Sequence, residues 1–163
     1  LSGTTTEAGG TLDFTIVLNS EPTADVTIGL SSSDTSEGTI SLSSVTFTSV
    51  NWETPRTVTV SGQDDDLDDG DVAYSVVTAA ASSSDTAYNG LNAADVTLTN
   101  TDDEEAAITV SAISGVTTEA GGTATFTIVL ESEPTDDVTV ALSSSDEGEG
   151  TLSSASEIGR AHV

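Results

Sequence analysis

In the segment TLDFTIVLN the apolar side chains of Leu12, Phe14, Ile16 and Leu18 fall on every second position, with Asp13, Thr15 and Val17 between them. A period of two is the signature of a strand with one face on a core. Val26, Ile28 and Leu30 repeat the pattern, followed by Val45 and Phe47, Val58 and Val60, Val72, Tyr74 and Val76, and Val96 and Leu98. Between these runs stand turn-forming groups: EAGG, NSEPT, SSSD and the pair Asn89–Gly90. No segment sustains an apolar period of 3.6. About seven short strands at this spacing predict an all-β fold, an antiparallel β-sandwich.

The pattern occurs twice. SGTTTEAGGTLDFTIVLNSEPTADVTIGLSSSD starts at Ser2, and SGVTTEAGGTATFTIVLESEPTDDVTVALSSSD starts at Ser114, an offset of 112 residues. A unit of that length is a domain rather than a solenoid turn. The expected organisation is therefore a tandem repeat: a sandwich over 1–105 and a second copy over 106–156 that stops about halfway. The second copy is preceded by AAITVSAISG, where Ile108 and Val110 alternate as an opening strand. Only Leu1 precedes the matching SG of the first copy, so that copy is expected to lack its opening strand and to leave an edge unpaired. The last seven residues, EIGRAHV, break the repeat: Glu157 and Gly159 stand where Val45 and Phe47 stand in the first copy. One reverse translation of 157–163 is similar to a common sequencing-library adapter. This tail, which carries Arg160 and His162, is expected to be non-native.

Composition narrows the function. The chain has 28 Asp and Glu against two Lys and Arg, a formal net charge of −26. Such a surface repels phosphate, which excludes nucleic acid and anionic membranes as partners. Cysteine is absent, so there is no disulfide and no thiolate site. No apolar run is long enough to span a bilayer as a helix. The serine runs 31–33 and 82–84 have no basic partner for a hydrolase outside the tail, and the three Phe, two Tyr and one Trp are needed for the core rather than for a cleft. No enzyme activity is expected. Trp52 in NWETP is read as a packing anchor rather than a sugar platform, EAGG as a hairpin turn, and Arg56 as the partner of Glu53 or another acidic neighbour.

The acid is concentrated. SGQDDDLDDGDVAY places Asp64, Asp65, Asp66, Asp68, Asp69 and Asp71 within eight positions, and TDDEE adds Asp102, Asp103, Glu104 and Glu105. Both runs follow strands. If those strands point to the same end of the sandwich, the two runs meet there. Calcium takes six to eight oxygen ligands, and a carboxylate-rich loop supplies them. The spacing is not that of an EF-hand: Asp69 falls where the loop glycine is needed and Ser75 where the last glutamate is needed. The alternative to a calcium site is a solvated charge cluster that protects a sheet edge.

VTVSGQDDDLDDGDVAYSVV followed by VTLTNTDDE resembles a Calx-β domain, in which one strand runs into an acidic triplet and the last strand ends in DDD or DDE. TTTEAGGTLDFTIVL resembles that family's opening, and NWETPRTVTVSGQDD the Calx-β-like repeats of large bacterial surface proteins. The resemblance covers 2–105 and, as a truncated copy, 106–156. It implies an immunoglobulin-like sandwich that binds calcium at one pole. The implied ligands are Glu7, Asp34, Asp64, Asp65, Asp66, Asp102, Asp103 and Glu104, with Asp69 and Asp71 near the positions where the family carries glutamates; Val72 stands where a ligand glutamate is usual. The function so implied is a calcium-binding structural repeat of an extracellular or cell-surface, adhesin-like protein. Its partners are calcium and neighbouring repeats of the same chain, and calcium stiffens the junction between them. The alternatives are an adhesion module for a glycan or matrix surface and an acidic halophilic spacer.

Overall fold

A computed structural model describes residues 1–160; His162 of the expected tail lies outside the described residues. The chain divides into two compact units. The first consists of Leu1–Asp65 and Asp69–Asp103, and the second of Asp66–Asp68 and the residues from Glu104 onward.

The first unit holds nine strands: β1 (Ser2–Thr6), β2 (Thr11–Ile16), β3 (Val26–Ser32), β4 (Gly38–Ile40), β5 (Ser44–Phe47), β6 (Arg56–Gly62), β7 (Val72–Thr78), β8 (Ser82–Ser83) and β9 (Val96–Thr101). They form a β-sandwich. One sheet runs β1-β9-β7-β3-β5, with β8 also paired to β3, and the other runs β2-β6-β4. Period-two alternation places Phe14, Val26, Ile28, Leu30, Val45, Phe47, Val58, Val60, Tyr74, Val76, Val96 and Leu98 in the core, where Leu18 and Ala81 join them. Leu12, Ile16 and Trp52 pack against this core, half-buried. Trp52 is thus a packing residue, as its sequence context suggested. Among the described residues Arg56 forms no ion pair; it opens β6 opposite Ile16.

Two features depart from the sequence pattern. The larger sheet is mixed rather than antiparallel, because β1 pairs with β9 in parallel, Ser2 opposite Thr97 through Thr6 opposite Thr101. β1 reads SGTTT and has no alternating hydrophobics to announce it. What holds it is the parallel ladder and a buried polar contact. Thr5, 1% exposed, donates its hydroxyl to Asn100 Oδ1 at 2.9 Å and lies 2.9 Å from the Tyr74 hydroxyl. The EAGG turn therefore does not close a hairpin here; it carries the chain from one sheet to the other.

The second unit holds β10 (Ile108–Val110), β11 (Ser114–Thr118), β12 (Gly122–Thr125), β13 (Ile128–Leu130), β14 (Val138–Ala141) and β15 (Ser156–Gly159). They form three two-stranded pairs, β10-β13, β11-β12 and β14-β15. Here EAGG does close a hairpin, between β11 and β12, with Gly121 at φ 88°. β14 pairs with β15 in the register of β3 with β5, each partner displaced by 112: Val138 faces Gly159 and Val140 faces Glu157, as Val26 faces Phe47 and Ile28 faces Val45. The tail thus occupies the strand position of the repeat without its core side chains. No described residue of this unit is buried.

The two units therefore give one substitution opposite weights. Phe14 is 5% exposed and its repeat equivalent Phe126 is 38% exposed. Phe14→Ala is expected to cost about 3–5 kcal/mol, the range for a buried Phe. Phe126→Ala should leave the first unit unchanged. Urea denaturation followed by the fluorescence of Trp52, which sits only in the first unit, separates the two outcomes.

Candidate metal centre

Strand direction decides where the acidic runs go. Because β1 and β9 are parallel, their C-terminal ends emerge side by side, and Glu7 N–H continues the ladder to Thr101 O at 3.1 Å. Antiparallel pairing of β7 with β9 sets Val72 opposite Asn100, so the start of β7 meets the end of β9. In the other sheet Thr11 faces Ser61 and Gly38 faces Gly62, which brings the start of β2, the start of β4 and the end of β6 to the same pole. Glu7, Glu37, the aspartate loop and the 102–104 run all follow or precede these strand ends.

A buried polar platform lies beneath the pole. Asn100, fully buried, donates Nδ2–H to Gln63 O at 2.9 Å and accepts from Thr5, tying β1, β9 and the end of β6 together. Gly62 makes the close approach possible. A Cβ there would stand 2.3 Å from Thr6 O and 2.5 Å from Asn100 Oδ1, one of them rigid backbone.

Above the platform, two groups of carboxylates of the first unit bring ligand oxygens within 4.8 Å of one another: Glu7 with Asp102, and Asp64 with Asp103. Glu104, the next residue along the chain, is counted with the second unit. Glu7 is 2% exposed, Asp102 and Glu104 are half-buried, and Asp64 and Asp103 are exposed. The aspartate loop is braced against the end of β9. Gly70, at φ 78°, donates its N–H to Asp102 Oδ2 at 2.5 Å, and Asp102 donates its own N–H to Asp71 Oδ1 at 3.3 Å. A donor set made wholly of carboxylate oxygens fits a hard divalent cation of the calcium or magnesium type, not zinc or copper.

The other expected ligands are in neither group. Asp34 belongs to neither group. Its carboxylate accepts from the Ser36 hydroxyl at 2.5 Å and the Ser36 N–H at 3.0 Å, closing a local turn. These bonds, the hydroxyl first, hold its carboxyl below the usual range. Asp66 lies in the second unit, where its carbonyl accepts the Glu133 N–H at 2.7 Å. Asp65 and Asp69 are in neither group, but both bear on Glu37. Asp71 contributes through its bond to Asp102. Away from this pole, Asp85 has a structural role, accepting the N–H groups of Thr23 and Ala87 at 2.8 and 2.9 Å.

Glu37 is the acidic residue that sequence reasoning passed over. It lies in SEGTI, three residues after Asp34, without an acidic neighbour in the chain to mark it. In the fold it directly precedes β4 and is 6% exposed. Burial and then the charge of Asp69 push its carboxyl above the ordinary range; a hydrogen bond with Asn100 opposes them, and Asp34 and Asp65 add to the rise. A comparison with protein-family models finds no matching family, and a comparison with curated proteins finds no matching sequence.

The raised pKa of Glu37 has a pH signature. The folded chain holds its proton more tightly than the unfolded chain. The stability it contributes is therefore complete below about pH 4.3 and is lost as pH rises through the folded pKa. Glu37→Gln removes that loss. In chelator-treated buffer its urea midpoint is expected to lie above that of the unaltered protein at neutral pH, with the gap closing as the pH falls towards about 4.

Proposed function

We propose that the pole formed by Glu7, Asp64, Asp102 and Asp103 binds calcium, and that the chain is a calcium-dependent structural repeat of an extracellular or cell-surface protein. The observation that carries this reading is the convergence of carboxylate oxygens, one of them from buried Glu7, within 4.8 Å. Burying or crowding carboxylates is unfavourable unless positive charge is supplied. The chain has only Arg56 and Arg160 to supply it, against 28 acidic residues. A bound divalent cation would cancel the repulsion among these loops. It would also fix Asp102 and Asp103, the last residues of the first unit. The resemblance of the VTVSGQDDD and VTLTNTDDE segments to Calx-β domains supports the same reading, and with it a stalk-like role in which calcium stiffens the connection between neighbouring repeats.

Calcium bound only to the folded state should raise the thermal midpoint by mass action, equivalent to about 2.7 kcal/mol at a hundredfold excess over the dissociation constant. The measurement is a melting curve with calcium, magnesium or sodium chloride at matched ionic strength. Calcium is expected to give the largest shift, and Asp102→Asn and Asp103→Asn should each reduce it. An equal shift from magnesium or from salt would sink the specific site and leave a solvated acidic pole.

A further inference from the structure

The buried platform beneath the pole holds a hydroxyl and an amide in contact. Thr5 and Asn100 are direct partners in the parallel ladder of β1 and β9, although they stand 95 positions apart in the chain. Both are fully buried and both belong to the first unit. The Thr5 hydroxyl gives its single proton to Asn100 Oδ1 at 2.9 Å, so the Tyr74 hydroxyl, 2.9 Å from Thr5 Oγ1, is the donor of that second bond. The amide is fixed from its other end as well. Gln63 O can only accept, and it lies 2.9 Å from Asn100 Nδ2, which turns Oδ1 towards Thr5. The second Nδ2 proton serves Glu37. The buried Glu37 carboxyl has a hydrogen bond with the Asn100 side chain that favours its ionised form, which makes the amide N–H the donor.

These are the parts of an acyl transfer. A hydroxyl oxygen stands beside an amide group, a carboxyl stands at the nitrogen that would leave, and both reactants are shut off from solvent. Strand pairing holds them together, which replaces a bimolecular encounter by an intramolecular one. A neutral hydroxyl is a weak nucleophile and nitrogen leaves an amide only when protonated, so the step needs proton transfer at both ends. The hydrogen bond from Thr5 to Oδ1 serves one end. Burial, and then the charge of Asp69, raise the Glu37 carboxyl above its ordinary range, so it carries a proton for the other. Exclusion of water protects the product from hydrolysis.

We infer that Thr5 and Asn100 join in an ester cross-link between β1 and β9, formed by the folded chain itself with Glu37 as the acid. A bond forms between Thr5 Oγ1 and Asn100 Cγ, and the Cγ–Nδ2 bond breaks. The hydroxyl proton passes to Oδ1 along the existing hydrogen bond. Glu37 protonates the departing nitrogen and is restored by the proton on Oδ1. The products are an ester and one ammonia, and no oxidant, reductant or co-reactant is consumed. The link ties together the two strands whose ends carry Glu7 and Asp102. It resists denaturant because the unfolded chain stays closed between Thr5 and Asn100.

The sequence supplies the readout. Arg56 and Arg160 are its only Lys or Arg residues, so trypsin cuts the denatured chain after Arg56 and separates Thr5 from Asn100. The full chain is incubated folded in chelator-treated neutral buffer, then denatured and digested. The intact mass is expected to fall by one ammonia per chain. The 1–56 and 57–160 fragments should stay joined on a denaturing gel until mild base releases them. Thr5→Ser, which keeps the hydroxyl, should link. Thr5→Val, of the same shape without it, should not, its fold being checked by Trp52 fluorescence. Glu37→Gln should slow linkage about a hundredfold or more. Because the link itself raises the urea midpoint, the comparison of Glu37→Gln in urea is made on chains that also carry Thr5→Val. An unchanged mass after prolonged incubation, ammonia loss confined to Asn89–Gly90, fragments that stay joined in Thr5→Val, or linkage at the full rate in Glu37→Gln would each overturn the proposal.

Discussion

The parallel pairing of β1 with β9 is the constraint on which the rest of this molecule depends. Two strands that run the same way end at the same place, so the residues after Thr6 and after Thr101 leave the sheet together. Glu7 and Asp102 become neighbours although they stand 95 positions apart in the chain. The pairing rests on little apolar surface, since β1 is serine, glycine and threonine. Its inward face is satisfied instead by the Thr5, Asn100 and Tyr74 hydrogen bonds. A buried polar network of this kind specifies one arrangement strongly, because each of its members is costly to leave unmatched.

The same geometry concentrates repulsion. Glu7 and Glu37 are buried at a pole that also carries Asp64, Asp102 and Asp103. Glu37 records the cost directly: burial and the charge of Asp69 favour its protonated form. An arrangement that is unfavourable by itself and made wholly of oxygen donors is what a hard divalent cation would stabilise, and that is the physical support for the calcium binding we propose.

Much of this was legible in the sequence. Period two marked β2, β3, β5, β6, β7 and β9, and the residues on its apolar phase, Val72 apart, are in the core or packed against it; β4, with Ile40, it did not mark. The two acidic runs were visible as runs, and their meeting followed once their strands shared a direction. Asp34 and Glu37 show where such reading stops. Asp34 has the more conspicuous sequence position, yet its carboxylate is consumed by Ser36 two residues on. Glu37 has no motif and is carried to the pole only because Gly38 pairs with Gly62.

The repeat separates local from tertiary information. Ser2–Thr6 and Ser114–Thr118 have nearly the same sequence and both are strands. The first pairs in parallel with β9; the second, with no counterpart of β9 among the described residues, pairs with β12 through the same EAGG turn. Phe14 and Phe126 likewise differ in burial, not in surroundings along the chain. The sequence alone determined which segments are strands, which of their faces are apolar and where charge accumulates, because side-chain alternation and composition are properties of neighbours in the chain. Which strand pairs with which, in what direction, and therefore which carboxylates meet, was decided only by the tertiary structure, because those choices depend on partners tens of residues away.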